Sequence, residues 1–373
     1  MSRSKAIAPK RVLLVGGGTA GHVEPALSVG RWLARADSSL QIEFIGTKFG
    51  IEKDLVPSAG FPLRCIAKVP LPRKLGTSLF AFPFKFLVSL VQALQIVRGA
   101  DLVIGFGGYV SASAYLAAKL SGIPIIIHEA NALPGWSNKL GARFASAVAV
   151  AFPSVLQKYP SWKSAIVTGM PIRESIHALA SSNQDSLKTK RGEILTSMGF
   201  NPALPVVLVF GGSQGSTSMN MAVHDYARSV EANRIQFIHA VGMKNSLPVA
   251  TSNYRPLSYI YEMADMYLAA DLVIARSGAV TCAELEAVHK YAVLVPLPIG
   301  NGEQEANAEI LLHDGAAVMC KNSDFTAEWL KKNCESALAT AQTFNQSLRS
   351  HSVANADSRI GEIALELMRA KTA

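Results

Sequence analysis

At 373 residues, 49% of them hydrophobic and 17% charged, the chain holds apolar material for two buried cores and is neither a disordered segment nor one small domain. Its formal net charge of +9 calls for an anionic partner, yet the cations are scattered and no nucleic-acid-binding module is recognisable, so nucleic acid is not expected. Four cysteines (Cys65, Cys282, Cys320, Cys334) lie far apart without CxxC or zinc spacing, and the basic N-terminus lacks the apolar length of a signal peptide; a reducing, cytoplasmic compartment is expected.

In chain order, RVLLVGGG, QIEFIGT, DLVIGFGG, IPIIIHE and AVAVAF read as buried strands that end in glycine or polar residues. EPALSVGRWLARADSS and VSASAYLAAKLSG carry helical periodicity between them, and continuous apolar strands suit a parallel sheet covered on both faces. Residues 69–97, VPLPRKLGTSLFAFPFKFLVSLVQALQIV, are rich in phenylalanine but interrupted by Pro83, Lys85, Gln92 and Gln95. That reads as a loop and amphipathic helix on a membrane surface, with Arg73, Lys74 and Lys85 among anionic headgroups, and not as a span. Glycine and proline break the pattern at 168–174, and a polar stretch follows. The strand–turn–helix pattern then restarts at VVLVFGGSQGSTSMN and continues through IQFIHAVG, DLVIARSG and YAVLVPLPI. The expected fold is α/β: two Rossmann-like, doubly wound parallel-sheet domains with a cleft between them. Their expected bounds are 1–171 and 172–349, with a terminal helix in 350–373 rejoining the first.

Two glycine turns, Gly16–Gly21 and Gly211–Gly215, each join a strand to a helix, where unpaired amide hydrogens and the positive helix end suit a phosphate. Gly16, Gly18 and Gly21 satisfy the dinucleotide spacing, but the acid it requires is misplaced: Asp37 precedes the second strand and Glu43 lies inside it. Neither turn has the lysine–Ser/Thr ending of a nucleotide triphosphate loop. A nicotinamide-dependent oxidoreductase therefore stays open as an alternative. His22, one residue past the last glycine, is placed to take a proton from an attacking hydroxyl.

The segments GGGTAGHVEPAL, FIGTKFGIEKDLVPSAGFPL, VIGFGGYVSASAYLAAKLSGIPIIIHEANALPGWSNKLGARFA, VTGMPIRE, VFGGSQGS, ADLVIARSGAVTCAELEAV and EQEANAEIL occur in this order. Together they resemble the MurG family, the bacterial N-acetylglucosaminyltransferases of peptidoglycan synthesis, over nearly the whole chain. The resemblance implies the GT-B architecture and inverting transfer of N-acetylglucosamine from UDP-GlcNAc to the C4 hydroxyl of the muramoyl sugar of lipid I, giving lipid II and UDP. It implies a peripheral enzyme on the cytoplasmic face of the bacterial plasma membrane. A UDP-GlcNAc 2-epimerase-like enzyme would share this architecture, and a non-catalytic protein that binds a nucleotide sugar or a membrane surface would carry the same phosphate turns.

Residue by residue, the resemblance makes His22 the catalytic candidate. It sets Thr19, Ala20, Gly21, His22, Asn131, Arg173, Ser213, Gln214, Gly215, Ile260, Glu284, Gln304 and Asn307 at the donor. Gly16, Gly17, Gly18, Gly107, Gly108, Tyr109, His128, Glu129 and Asn138 fall to the acceptor. Arg173 and the Ser213–Gln214 turn face the leaving diphosphate, Glu284 the ribose hydroxyls, and Gln304 and Asn307 the donor sugar. Glu303 replaces a usual glutamine, Ala20 a usual glycine and Met170 a usual asparagine; Glu303 can accept hydrogen bonds but not donate them. No D-x-D pair is present to hold a metal, so no cofactor is expected, with magnesium stimulation left open.

Overall fold

The computed structural model describes residues 9–69, 77–229, 234–298, 301–347 and 355–370. They fall into two compact units, Met1–Pro171 with Ala354–Ala373, and Ile172–Val353.

The first unit opens with β1 (Arg11–Val15), α1 (Ala20–Ala36), β2 (Gln41–Gly46), α2 (Glu52–Ser58), β3 (Leu63–Cys65) and α3 (Thr77–Val97). It continues through β4 (Leu102–Gly105), α4 (Tyr109–Leu120), β5 (Ile125–Glu129), α5 (Trp136–Gly141), β6 (Ala147–Val150), α6 (Ser154–Lys158) and β7 (Ile166–Val167). The seven strands pair in the order β3-β2-β1-β4-β5-β6-β7, every pair parallel. A parallel strand buried on both faces must be apolar throughout, which is why RVLLV shows no alternation: Val12 to Val15 are fully buried. Leu13, Val15, Val103, Ile125 and Ile127 pack with Tyr115 and Ala118 of α4, each large side chain contributing about 1.5–3 kcal/mol. On the other face α1 lies close at Gly30, where a Cβ would come within 2.8 Å of Leu14.

Helix α3 runs on through Pro83 at the cost of a backbone bond. Ala93 and Val97 are buried against α4 and Ser89 bonds Ser113 at 2.9 Å, while Phe84, Leu87 and Val91 are exposed. Among the described residues no helix is long and apolar enough to cross a membrane. Arg73 and Lys74 lie outside the described residues.

The second unit comprises α7 (Glu174–Ser181), α8 (Gln184–Ser197), β8 (Val206–Phe210), α9 (Thr217–Ala227), β9 (Gln236–Ala240), β10 (Tyr254–Leu257) and α10 (Met263–Ala269). Then come β11 (Leu272–Ala275), α11 (Ala279–Val288), β12 (Ala292–Leu294), α12 (Glu303–His313), β13 (Ala317–Met319) and α13 (Ala327–Gln346). Its strands pair in parallel as β10-β9-β8-β11-β12-β13. Val207, Val209, Phe237, Ile274 and Val293 meet Val223 and Tyr226 in one core. The last helix, α14 (Ala356–Ala370), belongs to the first unit: Gly361 presses its backbone on Trp32 of α1, and Lys10 Nζ donates to the Met368 carbonyl at 2.8 Å.

Counted from its own first strand, each sheet contains the order 3-2-1-4-5-6. The order reverses between β1 and β4 in one sheet and between β8 and β11 in the other. Ligands of open α/β sheets bind outside the carboxyl ends of the strands at such switch points. The loops there are Gly16–Thr19 and Phe106–Gly108 in the first unit, and Gly211–Ser216 and Arg276–Gly278 in the second.

Candidate functional site

In the first unit two glycine connections press together. Gly18, Gly107 and Gly108 have φ of +89°, +96° and +88°, and a Cβ on Gly108 would lie 2.6 Å from the Gly17 carbonyl oxygen. Thr19 caps α1, Ala20, Gly21 and His22 form its first turn, and Tyr109 opens α4. The half-buried His22 ring folds back over the turn, with Nδ1 3.2 Å from the Gly17 carbonyl and 3.2 Å from Thr19 Oγ1. A carbonyl can only accept, so Nδ1 carries the proton and Nε2 keeps its lone pair. Nε2 makes no hydrogen bond among the described residues and lies against Gly107, where a Cβ would come within 3.3 Å of it. Desolvation lowers the His22 pKa below 6.5, opposed by the Gly17 bond and by the Glu52 charge. The ring is thus held neutral, in the tautomer that can accept a proton.

No motif in the sequence marks Glu52. It is fully buried and its Oε2 accepts the Gly18 N–H at 2.9 Å. At Gly18, then, the amide expected to face a diphosphate is already engaged by a carboxylate.

The loop after β5 is tied internally. Glu129 accepts from Asn131 N (2.9 Å), Asn131 Nδ2 (3.2 Å), Gly135 N (2.9 Å) and Asn138 Nδ2 (2.9 Å), which fills its lone pairs. Burial pushes its pKa up and these bonds pull it down. Asn138 in turn accepts from Tyr115 at 2.8 Å. Glu129 and Asn138, expected at the acceptor, are therefore turned inward and shape the loop. Asn131 and Gly135 of this group are half-buried. His128 is buried; Nε2 donates to the Gly169 carbonyl at 3.0 Å, Nδ1 has no partner, and burial brings its pKa to about 4.

In the second unit Gly212 and Gly215 have φ of +88° and +72°, and a Cβ on Gly215 would collide with the Val241 carbonyl. Asn245 Nδ2 fastens the turn, donating to the Gln214 carbonyl at 3.0 Å. Ser213 is half-buried and Gln214 exposed, at the N-terminal side of α9. Arg276 was also unmarked in the sequence. Its buried guanidinium donates to Val295 O (2.9 Å), Pro296 O (2.8 Å), Ser216 Oγ (2.7 Å) and Asn322 Oδ1 (2.7 Å), clamping the loops around the switch point.

Arg173 and Glu284, expected to face the diphosphate and the ribose, meet each other: Nη1 to Oε1 is 2.5 Å, and the Tyr267 hydroxyl donates to Oε2 at 3.1 Å. Glu284 is buried and Arg173 half-buried. Gln304 Oε1 accepts the Leu297 N–H at 2.9 Å, leaving its amide as a donor at the head of α12; Asn307 and Ile260 are buried.

The acid a dinucleotide fold needs is missing from the end of β2. Asp37 bonds Ser39 within its own turn, and Glu43 is held by Arg11 and Arg64 at 3.0 Å each. Among the described residues no cluster of three His, Cys, Asp or Glu side chains could hold a metal. A cavity of about 1130 Å³ lined by Arg191, Pro205, Asp271 and Lys290 sits at the amino ends of β8, β11 and β12. That is the wrong end of the sheet for substrate.

Two Rossmann-like sheets with amide-rich turns at their switch points are the GT-B architecture, and the domains that match make the chain a glycosyltransferase. The glycosyltransferase family 28 N-terminal domain matches residues 12–150 and its C-terminal domain residues 206–361. A transferase from Frankia casuarinae is 43% identical over 343 residues, covering 89% of this chain and 88% of that protein; it is named UDP-N-acetylglucosamine--N-acetylmuramyl-(pentapeptide) pyrophosphoryl-undecaprenol N-acetylglucosamine transferase. The crystal structure of Acinetobacter baumannii MurG has a TM-score of 0.69 at 29% identity, over 96% of this chain and 100% of that one. The chain belongs to this transferase family, the MurG family. A UDP-GlcNAc 2-epimerase from Neisseria meningitidis shares the fold alone, with a TM-score of 0.59 at 14% identity over 95% and 100% of the two chains.

Proposed function

We propose that the chain transfers N-acetylglucosamine from UDP-GlcNAc to the C4 hydroxyl of the muramoyl sugar of lipid I, with inversion, releasing UDP and forming lipid II. The observation that carries the reading is the His22 ring, pinned through Nδ1 with Nε2 available, in a chain of this family. Nε2 accepts the C4 hydroxyl proton as the oxygen attacks the anomeric carbon on the face opposite UDP. As that bond breaks, negative charge grows on the diphosphate. Amides of the Gly211–Gly215 turn, the Ser213 hydroxyl and the Arg173 guanidinium meet it without a metal. Glu284 takes the ribose and Gln304 with Asn307 the sugar. The lipid-linked acceptor is taken by the first unit, its diphosphate at the Gly107–Tyr109 turn, where α4 begins. The exposed row Phe84, Leu87 and Val91 on α3 supports peripheral attachment to an anionic membrane at its cytoplasmic face.

The test is transfer of labelled N-acetylglucosamine to a lipid I analogue by the purified protein. His22→Ala is expected to lower turnover by about 10²–10⁴-fold with UDP-GlcNAc affinity unchanged. Loss of donor affinity with turnover intact would refute the assignment.

A further inference from the structure

One peptide unit joins Glu52 to His22. The Gly18 N–H donates to Glu52 Oε2 at 2.9 Å, and the Gly17 carbonyl of the same peptide accepts from His22 Nδ1 at 3.2 Å. No cis peptide bond occurs among the described residues, so this N–H and C=O point in opposite directions from one plane, toward the carboxylate and toward the imidazole. We propose that Glu52, the Gly17–Gly18 peptide and His22 form a hydrogen-bonded relay in which Glu52 is a positioning residue for the base. The inference rests on the reading of His22 as that base.

The site is built for the carboxylate. The backbone N–H and the hydroxyl of Thr47 donate to Oε1 at 2.9 and 2.8 Å, fixing the side chain so that Oε2 faces Gly18. Three glycines clear its space. A Cβ on Gly17 would lie 2.8 Å from Oε1, one on Gly46 2.6 Å from Cγ, and one on Gly50 would overlap the carboxylate. Glu52 begins α2, but its two oxygens accept from Thr47 and Gly18 and not from the amides of its own helix. Hydrogen bonds in series strengthen one another: a negative charge on the Gly18 N–H makes the Gly17 carbonyl a better acceptor. That locks the Nδ1–H tautomer and makes Nε2 more basic. Of the elements around the ring, α1 and the β4–α4 connection bring uncharged Thr19, Gly107 and Gly108, while α2 brings Glu52, whose charge opposes the effect of burial on the imidazole.

The experiment is NMR titration of the His22 ring nitrogens in the full-length protein and in Glu52→Gln, alongside the pH profile of kcat/KM. Expected in the variant are a lower His22 pKa, mixing of the two neutral tautomers, an acid limb displaced by the same amount and about 10-fold lower kcat, with donor KM unchanged. Glu52→Asp, which keeps the charge, recovers part of each effect. An unmoved His22 titration in E52Q, or an equal fold-loss from E52Q in a His22→Ala background, overturns the relay. If H22A keeps full turnover, the base assignment fails, and the NMR result still decides whether the relay exists. Should E52Q not fold, Glu52→Asp decides alone: the shorter side chain draws the carboxylate away from the Gly18 N–H, a lower His22 pKa is expected, and an unmoved titration overturns the proposal.

Discussion

Arg173 and Glu284 stand 111 positions apart in the sequence and meet in an ion pair whose side chains are only 16% and 3% exposed. A buried pair adds little net stability, but breaking it strands a charge. Arg173→Ala is therefore expected to destabilise the second unit by about 3 kcal/mol, and Arg173→Ala with Glu284→Gln by much less. Urea unfolding of the single and double variants measures the difference. Additive losses would mean that the pair is not coupled.

Acid acts through two buried neutral histidines. His128 in β5 and His239 in β9 each have a pKa near 4 because burial opposes their charged form. Their unfolded value is about 6.5, so between pH 6.5 and 4 the unfolded chain binds protons that the folded chain refuses. The stabilisation is complete above about 6.5 and disappears as pH falls toward 4, about 3 kcal/mol for each histidine. In His239 the ring bonds the Tyr254 hydroxyl at 2.8 Å and Asn220 Oδ1 at 3.1 Å, so protonation also costs it an acceptor. His239→Gln is expected to remove one proton from the slope of stability against pH in that window. An unchanged slope would place the acid sensitivity elsewhere.

These relationships differ in how far the sequence disclosed them. Strands such as VVLVF are long apolar runs whose burial is written in their composition, and they were readable. The edge strands β3 (LRC), β7 (IV), β10 (YRPL) and β13 (AVM) have two to four residues and no periodicity; they exist because a neighbouring strand offers its ladder. The glycine turns were visible because positive φ and close backbone approach are local demands. Glu52 was not, since an acid at a helix start normally serves the helix dipole; the signal lay in Gly46 and Gly50 on either side of Thr47, making room for it. Arg276 sits in an unremarkable ARSG, and only the fold brings the Ser216 and Asn322 side chains to it.

Two glycines should respond oppositely to alanine. Gly215 has φ +72° and its missing side chain leaves room for the Val241 carbonyl, so Gly215→Ala is expected to distort the turn and abolish UDP-GlcNAc binding. Gly192 lies inside α8, where an added methyl meets nothing within 4 Å, so Gly192→Ala should stabilise by about 0.5–1 kcal/mol without changing donor affinity. Thermal unfolding with a donor titration reads both. Retained donor binding in the Gly215 variant would remove that turn from the donor site.

The pH dependence of transfer follows from His22. Desolvation holds its pKa below 6.5, and the neutral ring is the working form. Activity is therefore expected to persist below pH 6.5 and to fall only as pH drops through the lowered value, with a slope of one proton in kcat/KM. An acid limb above pH 6.5 would name a different base.

Attachment to membrane is the property α3 predicts. Phe84, Leu87 and Val91 recur at helical spacing on one face and are 72%, 56% and 46% exposed, while Ala93 and Val97 face the core. Moving each large side chain from water into lipid is worth about 1.5–3 kcal/mol, so replacing all three by serine is expected to weaken vesicle binding by more than about 100-fold. Because the residues changed point away from the core, unfolding midpoints and transfer to a short-chain, soluble acceptor should stay unchanged, whereas transfer to a vesicle-embedded acceptor falls. Co-sedimentation with anionic and zwitterionic vesicles separates the contributions: the apolar row sets binding to both, and the excess on anionic vesicles, reduced by salt, reports the cations. Equal vesicle binding by wild type and the triple variant would show that this face does not meet the bilayer.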